Sequence, residues 1–283
     1  MAAKVYKVNV QQQPKVEGLL SCFRARTGHK LIQLDFNSIE DVVLAEASED
    51  ESLMKIYRVD HNCGYLFIGA GLGVDSISTP ILKYYDPENP TAAGVAAAKK
   101  NCKPERKACK TVKLAAAYGA WPKTIRKRLD AAKFPVTQGQ AEAIFTNYWE
   151  MFNGVKRFEE ALRVEWRNNK GWFFNGTGRP IPMCDDKAKR DLVNSYCQST
   201  AHDLLMMYNH KINCLRHERK VLMYPWLPDW HDETMWEAPD AHVQNCKEIL
   251  EESLVYLNEK ASGILPIKGE VCIADNLWII KDS

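Results

Sequence analysis

The stretch Lys30-Leu31-Ile32-Gln33-Leu34-Asp35-Phe36-Asn37-Ser38-Ile39-Glu40 constrains this chain more than any other. Leu31, Ile32, Leu34 and Phe36 form a short apolar run that suits a strand buried in a sheet. Such a strand carries a carboxylate only with compensation, because an unpaired buried charge is costly. Asp35 therefore needs a cation, a hydrogen-bond cage or a place at the sheet's exposed tip. Ser38 stands where it can cap a helix through residues 41–47. On this stretch alone the pattern reads as strand, turn and helix, with Asp35 as turn former. A second carboxylate that belongs beside Asp35 would change that reading.

Composition narrows the classes open to the chain. Its 283 residues, 46% hydrophobic and 26% charged, suffice for a sizeable core in one large domain or two smaller ones. A net charge of +2 gives no global basicity, so any footprint for a polyanion has to be local. The nine cysteines contain no C-x-x-C pair, which argues against a disulfide framework or zinc site and fits reduced, cytosolic thiols. No apolar run approaches the roughly 20 residues of a membrane span, and the N-terminus has no signal-peptide core. The expected location is the cytoplasm of a bacterium or phage-infected host, with no membrane partner. Asn175-Gly176-Thr177 matches a glycosylation sequon but reads as a turn.

Residues 1–30 look extended and docked. After the helix at 38–47, Tyr65-Leu66-Phe67-Ile68 followed by glycines imitates a strand and glycine turn, without the spacing of a nucleotide-binding loop. Residues 99–120 are the most basic segment, with Pro104 suited to a first helical turn and Gly119 to the end. Arg106, Lys110, Lys113 and Leu114 share one helical face, while Ala108, Thr111, Val112, Ala115 and Ala116 form a small opposite face. A second basic helix follows Pro122. Residues 137–170 read as two helices broken at Asn153-Gly154, and 172–183 as a loop. A long helix from about 187 to 216 presents Arg190, Asn194 and Gln198 as a polar stripe, as suited to solvent as to a duplex minor groove. Residues 222–239 suggest a hairpin with His231-Asp232-Glu233 near its turn. An amphipathic helix at 240–261 and an edge strand near 268–273 complete the chain.

Taken together, these pieces point to chemistry. Two aspartates on adjacent strand ends can hold two Mg²⁺ ions roughly 3.5–4 Å apart, the arrangement for in-line displacement at phosphorus. Arg106 and Lys110 could clamp the outer phosphates, one as a fork and one as a point charge. The residues alone give metal-dependent phosphoryl transfer on a polyanionic substrate and do not identify a nucleotide.

Asp35-Phe36-Asn37-Ser38-Ile39-Glu40 resembles D-Y-S-Q-I-E, the first motif of the family A DNA polymerases, the polymerase I and phage type. Arg106 to Lys110, with Tyr118-Gly119 beyond, resembles that family's R-R-x-x-K…Y-G. His231-Asp232-Glu233 with Glu237-Ala238-Pro239 resembles H-D-E-x-x-x-E-A-P. Arg190, Asn194, Gln198 and Thr200-Ala201 fall where the family has R-x-x-x-N-x-x-x-Q-G-T-A. Asn9-Val10-Gln11-Gln12-Gln13-Pro14 resembles N-L-Q-N-I-P, and residues 274–281 resemble its last strand. The motifs run in order across the chain.

The resemblance implies an α+β fold of the right-hand polymerase type, with palm at 1–48 and 171–283, mainly helical fingers at 49–170, and no thumb. It implies template-directed DNA synthesis from dNTPs on a primer 3′-hydroxyl. Asp35, Asp232 and the Phe36 carbonyl would bind two Mg²⁺, with Mn²⁺ as a substitute, and Glu233 would sit near the primer end with a lesser role. Arg106 and Lys110 would hold the triphosphate, and His61 would contact phosphate. Glu40 would be the steric gate against a 2′-hydroxyl, braced by Tyr118. Asn9, Gln11, Arg190, Asn194, Gln198 and His231 would touch primer–template DNA.

Departures qualify this. Leu114 stands where the family has Phe or Tyr, Lys113 replaces a usual Asn, and Val42 stands where an Arg follows I-E-L. No T-G-R precedes Asn9, and no D-x-E exonuclease signature precedes the palm. The expectation is a minimal or split catalytic subunit, with thumb, clamp or exonuclease supplied by a separate polypeptide. The alternative is a weakly active or inactive nucleic-acid-binding accessory protein that keeps the fold. A ribonucleotide polymerase is disfavoured by Glu40.

Overall fold

A computed structural model describes residues 16–59, 64–117, 120–183, 191–230, 232–261, 263 and 265–282. Along the chain come α1 (Glu17–Leu20), β1 (His29–Phe36), α2 (Ile39–Ser48), α3 (Glu51–Val59), α4 (Gly64–Gly71) and α5 (Asp75–Leu82). Then follow α6 (Ala92–Asn101), α7 (Lys103–Ala117), α8 (Pro122–Ala131), α9 (Gln138–Met151) and α10 (Asn153–Asn168). The rest is β2 (Trp172–Phe174), β3 (Pro180–Pro182), α11 (Leu192–Glu218), β4 (Tyr224–Trp230), β5 (Glu233–Pro239), α12 (Val243–Ala261), β6 (Gly269–Ala274) and α13 (Leu277–Asp282). The fold class is α+β. Two compact units divide the chain: Met1–Phe36, Leu204–Ser262 and Lys268–Ser283 form one, and Asn37–Asp203 with Gly263–Ile267 form the other.

The first unit is built on an antiparallel sheet in the order β4-β5-β1-β6. β1 is central in the sheet, and the burial of its consecutive residues Leu31, Ile32, Gln33 and Leu34 shows that both faces are covered, which is why its sequence reads as a nearly continuous apolar run. Leu31, Met235 and Ala274 pack with Leu20, Leu277 and Ile280 on one face. On the other, the Phe36 ring meets Tyr208 of α11 edge-on at 5.2 Å, and the Tyr208 hydroxyl donates to the Leu250 carbonyl of α12 at 3.0 Å. Cys246, Ile249, Leu250 and Leu257 of α12 are buried as its periodicity requires, while Val243 and Leu254 are half-buried. β6 is the edge strand. It stops at Ala274, and the Asn276 side chain accepts from the Ile279 N–H to open α13, so residues 274–281 are mostly helix rather than strand. Residues 16–20 likewise contain the short α1 rather than extended chain only.

The second unit is helical apart from the β2–β3 hairpin. The small face of α7 packs as its composition demands, with Ala108, Val112, Ala115 and Ala116 buried. The Tyr65–Ile68 run is helix α4, not a strand. A short apolar run serves a buried helix as well as a buried strand, and here Gly69 admits α7 so closely that an added Cβ would lie 2.6 Å from the Cys109 sulfur. Residues 172–183 form a hairpin rather than a loop. Its turn is closed by Asn175, whose side-chain oxygen accepts from Thr177 and Arg179 N–H groups and whose amide donates to Asp203 at 2.7 Å. The helices at 137–170 part at Phe152, and Gly154 N–H opens α10 by donating to the buried Asp50 carboxylate at 2.7 Å.

One further expectation is corrected. Ser38 precedes α2 but does not cap it: its φ of 54° is left-handed and its side chain makes no cap hydrogen bond. The two units part at 36/37 and 203/204, with α2 packed on α3 and α10 and the hairpin tied to Asp203.

Candidate active site

In the first unit, strand pairing brings the sequence-predicted carboxylates together. Asp35, next to last in β1, lies directly opposite Glu233 of β5 and Glu270 of β6. One residue further, the Phe36 N–H donates to the Asp232 carbonyl at 2.9 Å. That bond carries the ladder one pair past Asp35 and Glu233 and holds the Asp232 backbone against Phe36. Both aspartates are exposed, as the cost of burying a carboxylate requires. Glu233 is only 5% exposed and receives the side-chain amide of Gln33, itself buried in mid-strand. Backbone pairing thus sets Asp35 opposite the buried Glu233 and places the Asp232 backbone one pair further along, with both aspartates exposed at the same end of the ladder.

In the second unit, α7 carries the cations. Arg106, Lys110 and Lys113 fall at i, i+4 and i+7, on one helical face. Tyr65 of α4 lies under two of them, with the Arg106 guanidinium and the Lys113 ammonium each 5.3 Å from its ring centre. Arg106 Nε is buried without a hydrogen-bond partner among the described residues. Lys110, between them, is exposed. Lys113 forms an ion pair with Asp41 of α2, whose carboxylate also accepts from the buried Tyr57 hydroxyl at 2.8 Å. Burial alone would lower the Lys113 pKa, but Asp41, Tyr65 and Glu40 hold the ammonium above its usual range. Burial, followed by Asp41, pushes the Tyr57 hydroxyl well above its usual range, which keeps it a proton donor. Glu40, in the first turn of α2, is half-buried beside this network.

On α11, Asn194 is half-buried and Gln198 exposed, one turn apart on one face. Leu114 falls within α7. Asn9, Gln11, His61, Tyr118, Arg190 and His231, and the side chain of Leu114, lie outside the described residues.

Among the described residues, no group of three or more His, Cys, Asp or Glu side chains could hold a metal ion on its own. The donor set nevertheless suits Mg²⁺, which keeps several waters and binds through one or two carboxylates completed by substrate phosphates. Sequence reasoning missed Gln33, Asp41, Tyr57 and Tyr65. Gln33 left a signal, as the one amide in an apolar run; Asp41 and the two tyrosines left none.

A family model described as DNA polymerase family A matches residues 7–278. DNA polymerase I of Treponema pallidum (strain Nichols) is 26% identical over 260 residues, 86% of this chain and 23% of that protein. The DNA polymerase of Mycobacterium phage D29 is 25% identical over 218 residues, 77% of this chain and 30% of that protein. A thermostable DNA polymerase I of Thermus thermophilus is 25% identical over 276 residues, covering 94% of this chain and 29% of that protein. The chain thus spans 23–30% of the length of these relatives. Among solved structures, the POL domain of Pol1 from M. smegmatis, in complex with DNA primer-template and dNTP, shares the fold. The TM-score is 0.74 at 17% identity, over 95% of this chain and 44% of that one. No helix among the described residues is long and apolar enough to cross a membrane.

Proposed function

This chain belongs to DNA polymerase family A, and from that premise we propose that it is a template-directed DNA polymerase, joining the α-phosphorus of a dNTP to a primer 3′-oxygen with release of pyrophosphate. The observation that carries this reading is that Asp35 and Asp232 are both exposed at the same end of the β1–β5 ladder, where the Phe36 N–H donates to the Asp232 carbonyl at 2.9 Å.

In this reading Asp35 and Asp232 hold two Mg²⁺ (or Mn²⁺), with the Phe36 carbonyl as a backbone ligand. When bound, such ions lower the pKa of an attacking hydroxyl and neutralise charge on the leaving oxygens. Glu233 stays buried and fixed by Gln33, positioning the turn rather than binding metal. Arg106 and Lys110 hold the triphosphate by charge-assisted hydrogen bonds, Arg106 able to use two parallel donors. Glu40 excludes a ribose 2′-oxygen. Asn194 and Gln198, with Arg190, His231, Asn9 and Gln11, contact the primer–template, while His61, Leu114 and Tyr118 line the nucleotide. A net charge of +2 is low for a chain that must neutralise many phosphates, which supports further grip on the duplex from outside residues 1–283.

The test is extension of a primed template in Mg²⁺ by wild type and Asp232→Ala, with dNTPs and with rNTPs. Template-directed extension with dNTPs by wild type only is the expected result. Duplex binding without extension by either protein would overturn the reading in favour of an accessory role.

A further inference from the structure

α7 carries its cations in a setting that no backbone pairing fixes. Its buried face is Ala108, Cys109, Val112, Ala115 and Ala116, mostly small side chains, with Cys109 seated at Gly69 of α4. Polar restraints on its rotation lie on the other face. Lys113 Nζ reaches the Asp41 carboxylate, with side-chain exposures of only 14% and 19%. Asp41 is held in turn by the Tyr57 hydroxyl at 2.8 Å. The Tyr65 ring underlies both Arg106 and Lys113, seven residues apart and therefore about 10 Å along the axis. Turning α7 would break the ion pair and lift both cations from the ring together. Lys110, the cation between them, is exposed and forms no ion pair among the described residues.

A largely desolvated ion pair of this kind is poor evidence for stability, because desolvation offsets its Coulombic gain. It does specify geometry, since only one rotational setting of α7 satisfies Asp41, Tyr57 and Tyr65 at once. We infer that Lys113, Asp41 and Tyr65 are positioning residues for nucleotide binding: they set the rotation of α7 and so determine where Arg106 and Lys110 meet a triphosphate. This inference rests on the polymerase reading for its functional half only. None of the three residues touches the reacting atoms. Their effect is on nucleotide affinity, with the rate at saturation largely retained.

The experiment compares wild type with Lys113→Met, Asp41→Leu, Tyr65→Leu and the double variant Asp41→Leu/Lys113→Met. Amide hydrogen exchange over residues 103–117 reports how firmly α7 is held, and single-turnover dNTP incorporation separates affinity from maximal rate. Each single variant is expected to speed exchange along α7 and weaken dNTP affinity about 10-fold, with the maximal rate falling less than about 3-fold. The double variant, which buries no lone charge, is expected to recover much of both, giving non-additive coupling between the sites. Unchanged exchange in all single variants, or a double variant equal to the product of the singles, overturns the inference. If wild type shows no extension, the polymerase reading falls, and the exchange and coupling measurements decide by themselves whether α7 is held in this way.

Discussion

The carboxylates at the end of β1 and the cations on α7 are held by different means. Asp35 and Asp232 owe their position to backbone: the register of Asp35 with Glu233 and the Phe36–Asp232 bond persist whatever side chains stand there. Arg106 and Lys113 owe theirs to other side chains, an ion pair and a shared tyrosine ring. A site built on strand register can lose a functional group and keep its shape. A site built from mutual side-chain contacts changes shape when any member is lost. Substitutions in the first region should therefore remove chemistry cleanly, and those in the second should alter affinity and local order together.

The largest effect expected from this contrast is at the carboxylates. Asp35→Asn and Asp232→Asn should each lower the incorporation rate about 1,000-fold, the several kcal/mol that metal-assisted charge stabilisation supplies. Because both side chains are exposed, melting temperature should stay within about 2 °C of wild type. A large loss of thermal stability would break the comparison. Next, Arg106→Ala should raise the dNTP concentration for half-saturation about 10–100-fold, the loss of hydrogen bonds to a charged ligand. Arg106→Lys should recover only part of this, since a point charge does not replace a fork.

Glu40→Ala should raise ribonucleotide use relative to deoxyribonucleotide use by about 100-fold, the scale on which a pocket discriminates a single hydroxyl; competitive incorporation on one template measures it. Gln33→Leu removes a donor from the buried Glu233 carboxylate and should cost about 1–2 kcal/mol in denaturant unfolding, with a smaller effect on rate. The smallest effect is expected from pH. Lys113 titrates above its ordinary 10.5 in the folded chain, so its contribution to stability is complete below that value and is lost only as pH rises through the folded pKa. Unfolding between pH 7 and 9 should therefore be the same in wild type and Lys113→Met once a constant offset is removed.

The two regions also differ in how well the sequence displays them. β1 was legible because a central strand covered on both faces has to be apolar, so a carboxylate within it has to mark an exposed end. The cationic face of α7 followed from helical spacing, and its packed face from the alanines opposite. Its partners did not follow, since Lys113 and Asp41 stand 72 residues apart and no periodicity links them. Tyr65 was further hidden because its short apolar run with glycines fits a strand as well as the helix it forms. Ser38 shows the same limit at close range: a good capping residue cannot cap once the backbone turns left-handed at φ 54°. Local pattern gave the elements, and distant side-chain contacts decided where their surfaces point.

The most direct measurement is single-turnover dNTP incorporation on a primed template, with affinity and maximal rate determined separately for Asp232→Asn and Arg106→Ala. The expected result is a crossed pattern. Asp232→Asn loses about 1,000-fold in maximal rate and little in affinity, whereas Arg106→Ala loses mainly affinity. Equal losses of both quantities in both variants, or no loss in either, would contradict the division of labour between the strand-held carboxylates and the helix-held cations.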